Sequence, residues 1–393
     1  MQLKRIALFG RKNTSYDYFM LSGLATGFRA AGMEVVFHPR LLDADTMTAF
    51  CAQYRPDAVF EINRMRQHAP GLPAGVRHIA WLQDPPVPER SDAQRCDSEL
   101  TYFLTCPDTL GYELPAAQPW HLLFTGVDPR TAHPSGSRAA SDFSVIAYIP
   151  SPWRDQALAW RKCGPGQVPM LEVFEAFTAR YWSSYTRSDA PPLQFDAYVE
   201  MFSQTLLELG GITLEEFAPG AAERGEIAET VVQICRSIGR RKMTDAVLRV
   251  SASVRIFGQR NWLKWPQYAP YYQGSLDRHG DVCEAFRTTR LNLHNSISGL
   301  SMHSRVLDCM ACGAPILVEA SHYDDLSCGI NRFFEPEVHY IPFRFDTLEE
   351  TARRWLEDEP ARRRLGAEAA LVTQAHHTWQ ARARQIAADF EAL

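Results

Sequence analysis

Between Leu291 and Glu319 (LNLHNSISGLSMHSRVLDCMACGAPILVE) the chain reads as strand, loop, helix, strand, and no other stretch constrains the fold as tightly. Leu291-Asn292-Leu293-His294 is a short strand, Asn295 to Gly299 a turn-forming loop, and Ile316-Leu317-Val318 an apolar strand after the breakers Gly313 and Pro315. The helix between them, from about Ser301 to Cys312, has the length of a crossover between parallel strands. Ser301, Ser304, Arg305 and Asp308 fall at i, i+3, i+4 and i+7 and so share one face. Met302, Val306, Cys309 and Met310 turn to the other side, where a core would lie. An arginine and an aspartate beside a Gly/Ser loop at a helix N-terminus suit a phosphorylated, hydroxyl-bearing ligand. The plainer alternative is a surface helix with one Arg305–Asp308 salt bridge.

The same alternation runs through the rest of the chain. Arg5 to Phe9 is a strand closed by Gly10, a polar loop from Arg11 to Asp17 leads into a helix through Leu21, Leu24, Phe28 and Ala31, and Glu34 to Phe37 returns as a strand. A helix from Thr46 to Tyr54 precedes further strands at Asp57–Ile62, His78–Leu82, Leu100–Leu104 and His121–Phe124. This order predicts a mostly parallel α/β sheet with ligand loops at its strand C-termini. Gly126 to Ser141 is rich in turn residues and makes the best domain boundary. Phe143 to Tyr148 opens a second α/β unit. From Gln156 to Arg249 long helical stretches (Phe195–Leu209, Ala222–Ile238) without clear strands read as a helical insertion, and Val254 to Gly258 restores the strand-then-glycine pattern. Three helices follow: Thr347–Leu356, Pro360–Thr373 and Thr378–Leu393. Two α/β halves imply a cleft between them, where small molecules bind.

With 393 residues the chain is long enough for two full cores. A net charge of −5 argues against a sequence-independent nucleic-acid binder. No apolar run approaches the roughly 20 residues of a membrane span. The start, MQLKRIALFG, enters a strand with no targeting segment, and nine scattered cysteines show no disulfide framework. Both features point to a reducing compartment, the cytoplasm.

Taken in order, Trp81-Leu82-Gln83-Asp84-Pro85, Leu123 to Asp128, Arg255 to Gly258 with Trp262, Leu291-Asn292-Leu293 and, most strongly, Gly299 to Gly313 (GLSMHSRVLDCMACG) resemble the GT-B-fold glycosyltransferases. More specifically, they resemble the CgeB-like (spore maturation protein) branch related to group 1 glycosyltransferases. Phe333-Phe334 and the terminal helices look like that family's ending. The likeness spans most of the chain and is dense from Val254 to Glu319. It implies two Rossmann-like α/β domains facing a cleft: 1–135 on the acceptor side, and 142–375 binding a nucleotide sugar and holding the helical insertion of about 156–249. A last helix, 376–393, would pack back on the first domain. The implied activity is metal-independent transfer of a sugar from a nucleotide-activated donor to an acceptor hydroxyl on a glycan, protein or small molecule. The donor is a substrate, and no cofactor is implied. Alternatives are a nucleotide-sugar epimerase on the same scaffold or a non-catalytic glycan-binding or assembly relative.

In group 1 enzymes two glutamates stand with seven residues between them, the first touching the donor sugar and the second the nucleotide ribose. Those positions here are Leu300 and Asp308. Asp308 keeps a carboxylate for the ribose hydroxyls, whereas Leu300 supplies neither charge nor hydrogen bond and Ser301 beside it offers a hydroxyl instead. The departing diphosphate needs cationic or N–H donors. The expected donor site is Asn295, Ser296, Gly299, Ser301, His303, Arg305 and Asp308, with Gly258 and Arg260 or Lys264 from the preceding loop. Gly258 either lets a backbone approach the donor or simply ends a strand, and His294 and His303 either line the site or are satisfied structure. Asp84, at a strand end before Pro85-Pro86, is the expected catalytic base, with Glu61 and Asp17 as rivals. Asp43-Ala44-Asp45 matches a metal-binding pattern but sits where an N-cap belongs. Cys309-Met310-Ala311-Cys312 has no second pair for zinc and reads as packing cysteines.

Overall fold

The computed structural model describes residues 2–10, 15–84, 97–110, 112, 114, 119–185 and 195–393. The first unit runs β1 (Arg5–Phe9), α1 (Ser15–Ala30), β2 (Glu34–His38), α2 (Ala44–Tyr54), β3 (Ala58–Ile62), β4 (Arg77–Leu82), β5 (Leu100–Phe103) and β6 (His121–Leu122). Among the described residues these strands form one six-stranded sheet, ordered β2-β1-β3-β4-β5-β6 and parallel throughout. Alternation along β1 explains both layers: Ile6 and Leu8 face α1, while Ala7 and Phe9 face Met47 and Cys51 of α2. Burial on both faces also explains why β1 and β3 read as nearly continuous apolar runs.

The second unit begins with β7 (Ser141–Ile146). A small antiparallel ribbon follows, β8 (Lys162–Cys163) with β9 (Val168–Pro169), and then α3 (Met170–Tyr185), α4 (Phe195–Gly210), α5 (Leu214–Phe217) and α6 (Ala221–Val250). The ribbon corrects the expectation of a strand-free insertion. The helix expected to end at Ile238 continues to Val250, because Met243, Ala246 and Val247 carry its buried stripe onward. That helix is itself the crossover back to the sheet. The unit continues with β10 (Val254–Phe257), β11 (Tyr272–Gly274), α7 (His279–Arg287), β12 (Thr289–His294), α8 (Ser304–Ala311), β13 (Ile316–Glu319), β14 (Ile341–Phe343), α9 (Leu348–Glu357), α10 (Glu359–His376) and α11 (Trp379–Glu391). The second sheet is ordered β11-β10-β7-β12-β13-β14, again parallel. One face carries α3, α4, α6 and α9 over Phe143, Val145 and Leu293; the other carries α7, α8 and α10 over Ile316 and Val318.

Chain order runs outward from β7 to β10 on one side and to β12 on the other, so the switch point lies between β7 and β12. In the first sheet it lies between β1 and β3. α11 crosses from the second unit to pack on α1, where the Tyr102 hydroxyl donates to Asp389 at 2.7 Å and Gln385 donates to the Leu122 carbonyl at 2.7 Å. The cysteines are not all unpaired, a second correction. Cys106, after β5, is bonded to Cys328, between β13 and β14, with Cα atoms 5.6 Å apart. Six other described cysteines are free and buried.

Candidate functional site

The second sheet's switch point is built from the ends of β7 and β12 and the loop that carries α8. α8 starts at Ser304, later than its sequence suggests, because His303 takes the N-cap position and its Nδ1 accepts from the Arg305 amide at 3.1 Å. Ser301 therefore lies off the helix, buried beside Asp324, whose carboxyl burial pushes up to about 6. The Arg305 guanidinium donates to the Ile146 carbonyl at the end of β7. Burial lowers Arg305 to about 10, which leaves it a cation at neutral pH. His294 and His303, with ring centroids 5.0 Å apart, are driven well below the usual histidine range by burial and then by Arg305. Both are neutral and cannot repel a cation.

The helices inserted after β7 hold this loop. Arg240 of α6 donates to the Asn295 carbonyl at 2.7 Å and also to its side-chain oxygen. Tyr198 of α4 donates to the Ile297 carbonyl at 3.2 Å. Tyr185 of α3 donates to Glu319 at the end of β13, and burial raises that carboxyl to about 7. Ser296 and Ser298 share a hydrogen bond at 3.0 Å. Gly299 has a φ of 65°, and a Cβ there would lie 2.4 Å from the Ser321 hydroxyl and 2.8 Å from the Tyr323 ring.

Arg305 and Asp308 do not pair. Asp308 is buried and its Oδ2 lies 3.1 Å from Nε2 of His279, the first residue of α7; among the described residues its Oδ1 has no hydrogen-bond partner. Burial alone would lower His279, but the hydrogen bonds to Asp308 and Cys283 raise it to about 10. Burial raises the Asp308 carboxyl, and the hydrogen bond and charge of His279 oppose that shift.

Opposite lie the strand ends of the first sheet. Asp84 follows β4 and is exposed; its carboxylate accepts from the Asn63 side-chain amide at 2.7 Å, and the Asn63 side-chain oxygen accepts from the amides of Gln83 and Asp84. Pro85-Pro86 lie outside the described residues. The Tyr16 hydroxyl, in the first turn of α1, donates to Gln83 at 3.3 Å. Local desolvation raises the Tyr16 phenol although 42% of its surface is exposed, Asp84 and Asp17 raise it further, and Arg305 opposes them. One phenol thus senses the acids of the first unit and the arginine of the second. Leu300 packs against the core of the first unit.

A family model described as glycosyl transferase-like matches residues 236–388. No curated protein matches the chain. Among solved structures, HepE from Anabaena in complex with UDP-glucose is 11% identical, covers 99% of this chain and 100% of its own, and superposes with a TM-score of 0.56. Sucrose-phosphate synthase from Thermosynechococcus elongatus is 13% identical, with 99% and 98% covered and a TM-score of 0.51. The chain has the GT-B fold.

The residues singled out from sequence divide into two groups. Asn295, Ser296, Gly299, Ser301, His303 and Arg305 belong to one loop and helix start, with Asp308 one turn further on. Gly258 is explained by internal packing: its φ is 149°, and a Cβ would lie 2.2 Å from the Ala147 carbonyl that accepts from Trp262 at 2.8 Å. Arg260 is exposed at the end of β10, and Lys264 donates to Ser151 at 3.0 Å. Glu61 is excluded as a base, since it is fully buried and paired with Arg64 at 3.2 Å and His78 at 3.0 Å. Asp17 is buried in the first turn of α1. Asp43 is a helix cap, accepting from the Thr46 amide at 2.8 Å. Cys309 and Cys312 are packed in the core around α8. Sequence reasoning missed Tyr16, Arg240, Glu319 and His279. The strand-end rule reaches Glu319, and the turn after Gly10 reaches Tyr16. Nothing in the local sequence marks Arg240 or His279.

Proposed function

We propose that this protein is a glycosyltransferase that takes a nucleotide-activated sugar on its second domain and an acceptor hydroxyl on its first. The observation that carries the reading is Arg305, a buried cation at the start of α8 beside the Asn295–His303 loop and held at the end of β7, within the region the glycosyl transferase-like model matches. Arg305 and the Asn295–His303 loop meet the diphosphate, and Asp308 accepts from the ribose through Oδ1. Charge leaving with the diphosphate is balanced by a fixed cation in a crowded site, where it acts most strongly. Asp84 takes the acceptor proton. Asp43 is committed to capping α2, so the reading routes no step through a metal at that motif. HepE, solved with UDP-glucose and with UDP and glucose, supports a uridine donor as the first to test.

The CgeB-like assignment is the finer part of the proposal and rests on the Gly299–Gly313 motif with Asp308 in the ribose position. Leu300, where group 1 enzymes carry their sugar-touching acid, is an apolar contact between domains here, so the sugar must be held by other groups. Cytoplasmic residence is also proposed, supported by six free cysteines among the described residues, with the Cys106–Cys328 disulfide standing against it. Among the described residues no helix is long and apolar enough to cross a membrane. The test is incubation with UDP-, ADP-, GDP- and TDP-sugars, following release of nucleoside diphosphate with and without candidate acceptors. Isomerised sugar without nucleotide release, or no turnover of any donor, would overturn the reading.

A further inference from the structure

His279 is remote from the loop that carries the site: it opens α7, while Asp308 sits on α8. Yet its Nε2 is 3.1 Å from Asp308 Oδ2, and its ring lies 4.4 Å, centroid to centroid, from Phe19 of α1 in the first domain. Cys283, one turn along α7, places its thiol 3.7 Å from the same nitrogen. Asp128, after β6, is the other acid that acts on both His279 and Asp308. A buried carboxylate without a partner takes up a proton, and an isolated buried charge is costly. His279 supplies the missing charge and fixes one oxygen, which leaves Oδ1 as an acceptor with a set direction.

We propose that His279 is the positioning residue of the ribose site: it keeps Asp308 ionised and aims its free oxygen, while Phe19 restricts the imidazole from the opposite domain. The inference rests on the donor-site reading, in which Asp308 meets the ribose. A neutral, freely rotating Asp308 would offer a hydroxyl as often as an acceptor and would bind the ribose diol poorly. The coupling is specific to this pair, since Arg305, on the same helix, is held elsewhere by the Ile146 carbonyl.

The experiment is calorimetric titration of UDP, ADP, GDP and TDP into the full-length protein, followed by variants with whichever binds best. Asp308→Ala and His279→Ala should each weaken binding about ten-fold or more. The double variant should be no weaker than Asp308→Ala, because the histidine acts only through the aspartate. His279→Gln, whose side-chain amide still donates to Asp308, should recover much of the loss, which a purely structural role would not produce. If His279→Ala does not fold, the comparison of His279→Gln with His279→Met decides between donor and no donor at similar size. Wild-type affinity in His279→Ala beside a loss in Asp308→Ala would overturn the inference and leave the donor site standing, as would additive losses in the double variant. Unchanged affinity in Asp308→Ala, or no binding of any of the four nucleotides, would remove the donor-site reading and this inference with it.

Discussion

Cys106 and Cys328 are joined by a disulfide although 222 residues separate them. One lies after a strand of the first sheet. The other belongs to the loop whose Ser321 and Tyr323 pack on Gly299. A crosslink closing so long a loop stabilises the fold chiefly by restricting the unfolded chain, typically by about 2–4 kcal/mol. Reduction, or Cys106→Ser, is expected to lower the unfolding free energy by about that amount and to speed hydrogen exchange in residues 321–329. A denaturation midpoint that does not move, with loss of the bond verified by mass, would contradict this.

Asp84→Asn should lower turnover by roughly 10²–10⁴-fold, the contribution of a positioned base. Donor affinity should hardly change, because the proposed donor site lies on the other domain. Asparagine keeps the size and still accepts from Asn63, but cannot take a proton. Turnover above about a third of wild type would remove Asp84 as the base. Retention of the anomeric configuration in the product would argue against a direct inverting displacement.

Arg305→Ala is expected to weaken nucleoside diphosphate binding by about 1.5–3 kcal/mol, the range for a hydrogen bond to a charged group. Arg305→Lys should recover only part of it, since an ammonium lacks the planar fork that can hold Ile146 and a phosphate together. Activity should persist in excess EDTA. Loss in EDTA with rescue by manganese or magnesium would reassign the diphosphate to a cation.

Glu319 makes stability depend on pH. Its folded pKa, about 7 against an ordinary 4.5, is raised by burial, so folding favours the protonated form. The stabilising contribution is present below about pH 4.5 and is lost as pH rises through about 7. Glu319→Gln, which stays neutral, should match wild type near pH 4.5 and exceed it at pH 8 by up to about 3 kcal/mol. Equal pH dependence in the two proteins, measured by urea unfolding, would show that Glu319 is not the group responsible.

The sequence by itself determined the parallel α/β architecture, the Asn295–Gly299 loop, the helix behind it and Asp43 as a cap. Those features rest on local rules: strand alternation, breaker residues and side chains that satisfy their own helix ends. It also put Arg305 and Asp308 on one helix, but not their partners. Neighbours on a helix are not bound to pair when better partners arrive from elsewhere, and here the Ile146 carbonyl and His279 arrive from 159 residues away and from another helix. Only the tertiary structure decided that Glu61 is spent in a buried ion pair, that Leu300 is a contact between domains, that Cys106 finds Cys328, and that Arg240 and Tyr198 of the inserted helices hold the Asn295–Ile297 loop. Each depends on which strand ends the sheet order brings side by side. That order is set by non-local packing of the two cores, and no spacing along the chain records it.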